Sequence, residues 1–196
     1  MVIRSKPNKL HWNYFLALED DLDTVSRYIE FSEGNFNTYS IELAHLLFAA
    51  SSEVDVVAKT LCAQLDATAQ RGNINEYRST ITAGIPNLAT EEVFIQRYGL
   101  SLTPWIDWTG STNPLWWRSY NNVKHERDQY FSEATLKNAL NALAGLLVIT
   151  FYYYKFSSTS TAGEAVDNRD VTQELEPQSK LMRLSDSYYR GHLLLE

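Results

Sequence analysis

Seven apolar residues, Leu43, Leu47, Ala50, Val54, Val57, Leu61 and Leu65, recur at steps of three and four along one stretch of the chain. Only one wall of an α-helix repeats in this way, so the stretch predicts a long helix, capped by Thr38 or Ser40 and ending near Gly72. A wall of that length is stable only against other elements, and the pattern around it is again helical. Tyr14, Leu18, Leu22, Val25, Tyr28 and Ile29 predict a helix from about His11 to Phe31, which Gly34 and Asn35 break. After Ser132 as a cap, Leu136, Ala139, Leu140, Leu143, Ala144, Leu147, Phe151 and Tyr154 cover too much of a helix for one side to face water. Such a helix is either the centre of a bundle or half of a contact with a second subunit. Alternating strand patterns are scarce, and the fold class that follows is all-α, a bundle of four to five helices.

The rest of the chain is less periodic. Between Asn73 and Leu100, Gly84, Pro86 and Gly99 punctuate the pattern, and Thr90 is placed to cap a short helix through Tyr98. Residues 100 to 107 read as a short extended piece. Ser157 to Gly163 reads as a flexible linker, followed by an acidic stretch from Glu164 to Glu176. Beyond Pro177, residues 181 to 195 regain Leu, Met and Tyr, and either dock on the body or a partner or belong to an unstructured acidic tail. The expected division is therefore a bundle over 1–156 and a flexible C-terminal extension over 157–196.

Composition narrows the chemistry. One cysteine, Cys62, excludes an intramolecular disulfide and sits in the apolar repeat as a buried thiol. Four histidines lack the spacing of a zinc site, and no phosphate-binding loop, dinucleotide fingerprint or nucleophile elbow is present. No metal and no cofactor is expected. Met1 to Trp12 holds no apolar run of a secretory signal. The window from Ala139 to Tyr154 is shorter than the ~20 residues of a bilayer span and carries Asn141. The expectation is a cytoplasmic protein with no membrane association.

Chemistry-bearing side chains gather between Asn113 and Arg127. Asn113 as a cap and Pro114 in the first helical position predict a helix running to about Phe131. At 100° per residue, Tyr120, Val123, Arg127 and Tyr130 fall within roughly 40° of Trp116 and form a stripe for the core. Opposite lie Arg118, Asn121, Asn122 and His125. Arg118 and His125 are close to two turns apart, on the order of 10 Å along the axis, a span suited to one extended anion. Lys124 and Arg127 add positive charge nearby, in a chain whose net charge is −7, which points to a local anion site rather than a general basic coat. The alternative is an ordinary amphipathic surface helix. Trp105, Trp108, Trp116 and Trp117 read either as a stacking platform for nucleobases or, preferably, as a hydrophobic plug. Glu42, His45 and Glu53 read as surface groups of the long helix, with Glu53 alone placed to orient another side chain.

An arginine, six intervening residues and a histidine on a late helix of a bundle resemble the HEPN superfamily (higher eukaryotes and prokaryotes nucleotide-binding). The resemblance covers about Trp12 to Phe156, and the phrase Tyr120-Asn121-Asn122-Val123-Lys124-His125-Glu126-Arg127 is similar to one found in bacterial HEPN-type proteins. It implies a metal-independent endoribonuclease acting in a toxin–antitoxin, phage-defence or RNA-processing setting, or a relative that has lost catalysis and only binds. In that reading His125 transfers protons, Arg118 clamps the phosphate, and Asn121 or Asn122 positions one or the other. Ser119, where the family often has Asn, Asp or His, joins Lys124 and Arg127 in contacting substrate. A single histidine is thin for both acid and base, so a homodimer facing two such stripes across a cleft is expected. The expected partners are RNA, a second copy and an antitoxin or regulatory protein. The competing expectation is a non-catalytic dimeric module that binds RNA, nucleotide or protein, and a third is an interaction module acting through residues 181 to 195.

Overall fold

The computed structural model describes residues 8–158 and 166–191. Among these, seven α-helices are joined by short 3-10 turns and one small hairpin, so the protein is mostly helical. The helices are α1 (Leu10–Val25), α2 (Ile41–Leu65), α3 (Ile74–Gly84), α4 (Leu115–His125), α5 (Arg127–Tyr130), α6 (Leu136–Ser157) and α7 (Asn168–Glu174).

The two strongest periodic signals form the centre. α2 and α6 share the most extensive helix pairing, and α1, α3 and α4 pack around them. Ser40 caps α2, its hydroxyl accepting the Leu43 N–H at 3.1 Å. Thr135, not Ser132, caps α6 by accepting the Asn138 N–H at 3.2 Å. Every residue of α6 from Ala142 to Tyr152 is buried. That resolves the excess of apolar surface: α6 is the central helix. It is also long and apolar enough to cross a membrane, with 72% of its most apolar window buried inside the bundle.

Four segments differ from the sequence expectation. The helix expected from Thr90 through Tyr98 is a hairpin, β1 (Val93–Ile95) paired antiparallel with β2 (Leu100–Leu102), turning at Gly99 with a φ of 62°. Among the described residues only Gly99 takes this left-handed conformation, which favours glycine, and β-branched Val93 and Ile95 bury one face of the ribbon. The weakly patterned region after Asn73 contains α3, whose first turn is capped by the Asn73 side chain accepting from Asn75 and Glu76. α2 stops at Leu65, short of Gly72, and α1 stops at Val25, short of Phe31.

The tryptophans form a plug and not a platform. Trp105, Trp108, Trp116 and Trp117 are all buried. Trp105 and Trp116 meet edge to face with centroids 5.1 Å apart, and Trp105 and Trp108 lie 4.2 Å apart. The indole of Trp105 donates to the Gly145 carbonyl at 3.2 Å and that of Trp116 to the Pro104 carbonyl at 2.8 Å. Gly145 leaves room for this plug: a Cβ there would stand 3.0 Å from the Trp116 ring, closer than packed side chains ordinarily come.

The C-terminal extension is part of the core over its described residues. Glu19 on α1 is 2% exposed, and its carboxylate accepts the Ser179 hydroxyl and the backbone N–H groups of Lys180, Leu181 and Met182. Phe94 and Arg183 exchange two backbone hydrogen bonds at 2.7 and 2.9 Å, laying the segment beside β1. The hydroxyls of Tyr152 and Tyr188 both donate to Glu91. Leu181, Met182, Leu184 and Tyr188 are buried, which selects docking on the body over an unstructured tail for this stretch. Ser157 ends α6, whereas most of the expected linker (159–163) and the last five residues (192–196) lie outside the described residues.

Cys62 is fully buried on α2, and burial pushes its thiol up to about 11, partly offset by a hydrogen bond with Thr80 and the charge of Arg71. At pH 8 the thiol is therefore protonated and covered. Iodoacetamide is expected to leave the native protein unlabelled while fully labelling it in denaturant, read by intact mass; rapid native labelling would contradict this burial.

Candidate anion-binding groove

The segment that carries the candidate residues folds as two helices rather than one. Pro114 stands at the cap position (φ −51°, ψ 141°) rather than inside the first turn, and Asp107 supplies the missing acceptor, 3.2 Å from the Leu115 N–H. Asn113, expected to cap, instead accepts from Arg78 at 3.3 Å and donates to Asn75 at 3.1 Å, tying the start of α4 to α3. α4 ends at His125 because Glu126 leaves helical geometry (φ −137°, ψ 56°), and α5 starts afresh at Arg127. The expected helix to Phe131 is thus broken after its third turn.

Within α4 the two stripes separate as the wheel requires. Trp116, Tyr120 and Val123 are buried, while Arg118 and His125 are exposed and Asn121 and Asn122 are half-buried. Past the break, Arg127 leaves the core stripe: its guanidinium lies over the Phe48 ring at 5.2 Å. Lys124 turns the same way, its ammonium 3.3 Å from the Tyr120 hydroxyl. The cationic cluster expected around His125 is therefore divided, with Lys124 and Arg127 against aromatic side chains and Arg118 on the other side.

Arg118, Ser119, Asn121 and Asn122 come together in a groove of about 710 Å³. Its far wall is built by Glu133 from the turn after α5 and by Lys137 and Asn138 from α6. Asn122 donates to both Glu133 oxygens, at 3.1 and 3.4 Å. Asn138 donates to the Glu133 carbonyl at 2.8 Å, and Asn121 to the Trp117 carbonyl at 2.9 Å. Ser119 is only 1% exposed, at the base of the groove. Arg118 has no hydrogen-bond or ion-pair partner among the described residues, so its five donors face the groove and solvent. With Arg118 and Lys137 against one carboxylate, the lining carries an excess positive charge and several amides. Such a surface can hold a phosphate by charge-assisted, forked hydrogen bonds.

His125 does not line this groove. It lies on the same face of α4, roughly 20° from Arg118 and on the order of 10 Å along the axis. No described residue hydrogen-bonds its imidazole. Glu133, Lys137 and Asn138 were not singled out by sequence reasoning, because they reach the groove only through the break at Glu126 and the turn into α6.

Glu53 does orient another side chain, though not in this groove. Its Oε1 lies 2.5 Å from Nδ1 of His11, and the imidazole meets the Tyr153 ring edge-on at 4.9 Å. Glu42 and His45 are an exposed pair 3.8 Å apart. Among the described residues no three His, Cys, Asp or Glu side chains converge as a metal site would need. The chain matches no known family model, no curated protein sequence and no solved structure.

Proposed function

We propose that the protein is a metal-independent endoribonuclease of HEPN type, its bundle binding single-stranded RNA through the Arg118 groove and cleaving it with His125. The observation that carries this reading is an unpaired guanidinium in a groove rich in side-chain amides, with an exposed imidazole two turns along the same helix face. RNA brings its own nucleophile. Removal of the 2′-OH proton lets that oxygen attack phosphorus, the bond to the 5′-oxygen breaks, and a proton delivered to that oxygen completes the exchange. Arg118 would hold the non-bridging oxygens as charge builds on them, and Asn122, braced by Glu133, would fix their orientation. One imidazole per chain cannot stand on both sides of the phosphorus. A second copy facing the first across the open stripe supplies the other, making a homodimer the functional unit, with an antitoxin or regulatory protein as its further partner.

The expected products are a 2′,3′-cyclic phosphate and a 5′-hydroxyl, formed in the presence of EDTA. His125→Ala should lower the cleavage rate about a hundredfold while RNA binding persists. Arg118→Ala should weaken binding as well. Cleavage that survives His125→Ala, or that EDTA stops, sinks the proposal.

One observation favours a second reading, in which the module binds RNA, nucleotide or a protein partner and does not cut. A general base is ordinarily held by a neighbour, and His125 has no such neighbour among the described residues. In that case wild type and His125→Ala bind RNA equally, with an affinity that falls steeply with salt, and neither produces a cyclic phosphate.

A further inference from the structure

Ten arginines are present in the chain, and three of them, Arg169, Arg183 and Arg190, line one pocket of about 400 Å³ on the C-terminal segment. The pocket lies between α7 and the strand-like stretch that docks through Glu19. Its remaining lining is uncharged, including Thr172, Gln178 and Tyr189, and among the described residues no carboxylate lines it. In a chain of net charge −7, such a convergence of guanidinium groups is not a sample of the general surface.

Each arginine has a partner, and only Tyr189 among those partners lines the pocket. Arg183 lies over the Tyr189 ring at 4.4 Å, which fixes its plane. Asp186 approaches it at 3.8 Å, and Asp170 pairs with Arg190. Arg169 has only the Ser187 carbonyl, at 3.4 Å. Three positive charges are thus set against two carboxylates, neither of which lines the pocket. Both ion pairs are open to water, with side-chain exposures of 38% and 87% for Arg183 and Asp186 and of 62% and 50% for Arg190 and Asp170. Exposed pairs of this kind contribute little, so an arriving anion can share or replace them at small cost.

We propose that this pocket binds a phosphoryl group of a small molecule, with pyrophosphate or the polyphosphate chain of a nucleotide as the class that best satisfies three forked donors. A planar guanidinium matches two oxygens of one phosphoryl group, and three of them around a pocket of this size fit more than a single phosphate. Bound there, the ligand joins α7 through Arg169 to the docked segment through Arg183 and Arg190. It therefore strengthens the attachment of residues 177 to 190 to the body. The site is independent of the Arg118 groove and of the reading given to it.

The test is calorimetric titration of the full-length protein with inorganic pyrophosphate, a nucleoside triphosphate and inorganic phosphate, at constant ionic strength and without divalent cations. Saturable binding of pyrophosphate or the triphosphate is expected, weakened at least tenfold by Arg190→Gln and by Arg169→Gln. Both side chains are exposed, so neither change threatens the fold, and unchanged melting temperatures without ligand verify this. Arg118→Ala should leave the affinity intact. Equal affinity for the two ligands assigns recognition to the phosphoryl groups alone, and tighter triphosphate binding adds a contact to the nucleoside. Absence of saturable binding, binding unchanged in the Arg169→Gln, Arg190→Gln double variant, or binding lost in Arg118→Ala overturns the proposal.

Discussion

Trp105→Ala is expected to lower the unfolding free energy by about 3–5 kcal/mol, among the largest effects of any single change in this protein. The indole is fully buried, packs against Trp108 and Trp116, and donates to the carbonyl of Gly145 on the central helix. Alanine removes all of these contacts at once and leaves a cavity bordered by two rigid rings and by a glycine, none of which can extend to fill it. The Gly145 carbonyl keeps its helical partner, so the cost is dominated by the void. Urea unfolding followed by circular dichroism should show a lower midpoint with an unchanged slope. A loss under about 1 kcal/mol would mean that the four tryptophans are not the plug described here.

The second large effect is expected at Glu19. Glu19→Ala deprives three backbone N–H groups of their acceptor and leaves the Ser179 hydroxyl with the Met182 carbonyl alone. Each buried donor left without a partner costs on the order of 1–3 kcal/mol, more than the docking of a short segment can sustain. The segment is therefore expected to detach and hydrate its amides rather than remain in place unsatisfied. Hydrogen exchange should show the amides of Lys180, Leu181 and Met182 losing protection by several orders of magnitude while those of α2 stay protected. Glu19→Gln keeps an oxygen in the position that receives three of the four donors, but turns an NH₂ group toward the Lys180 N–H, and should give an intermediate effect. Protection at 180–182 equal to wild type in Glu19→Ala would show that apolar burial of Leu181 and Met182 alone holds the segment.

What could be read from the chain was whatever repeated. The wall of α2, the uninterrupted burial of α6, the core stripe of Trp116, Tyr120 and Val123, and the burial of the tryptophans all follow from period and bulk. Features set by a single residue's backbone were hidden. Glu126 is an ordinary helix former, and the polar and apolar pattern runs straight through it, so nothing local announces that α4 stops at His125. That stop is what sends Arg127 toward Phe48 and lets Glu133, Lys137 and Asn138 complete the groove, whereas Lys124 meets Tyr120 one turn back within α4 itself. The hairpin was illegible for a related reason. Its strands are three residues each, and β1 gains a second neighbour only from Arg183, far along the chain. Arg118, Asn121 and Asn122 lie together in the groove because helical geometry alone brings them there, and what joins them from α6 required the tertiary path.

The carboxylate of Glu19 and the groups that donate to it are separated by 160 to 163 positions, almost the whole length of the described chain. On the ribosome, α1 is made early and its buried acid has nothing to receive until residue 182 has emerged. Until then, closing Glu19 into the core would leave its carboxylate without donors, which is costly. The order of synthesis therefore bears on folding: the bundle can collapse from α2 and α6, but Glu19 gains its donors only once residues 179 to 182 have been made.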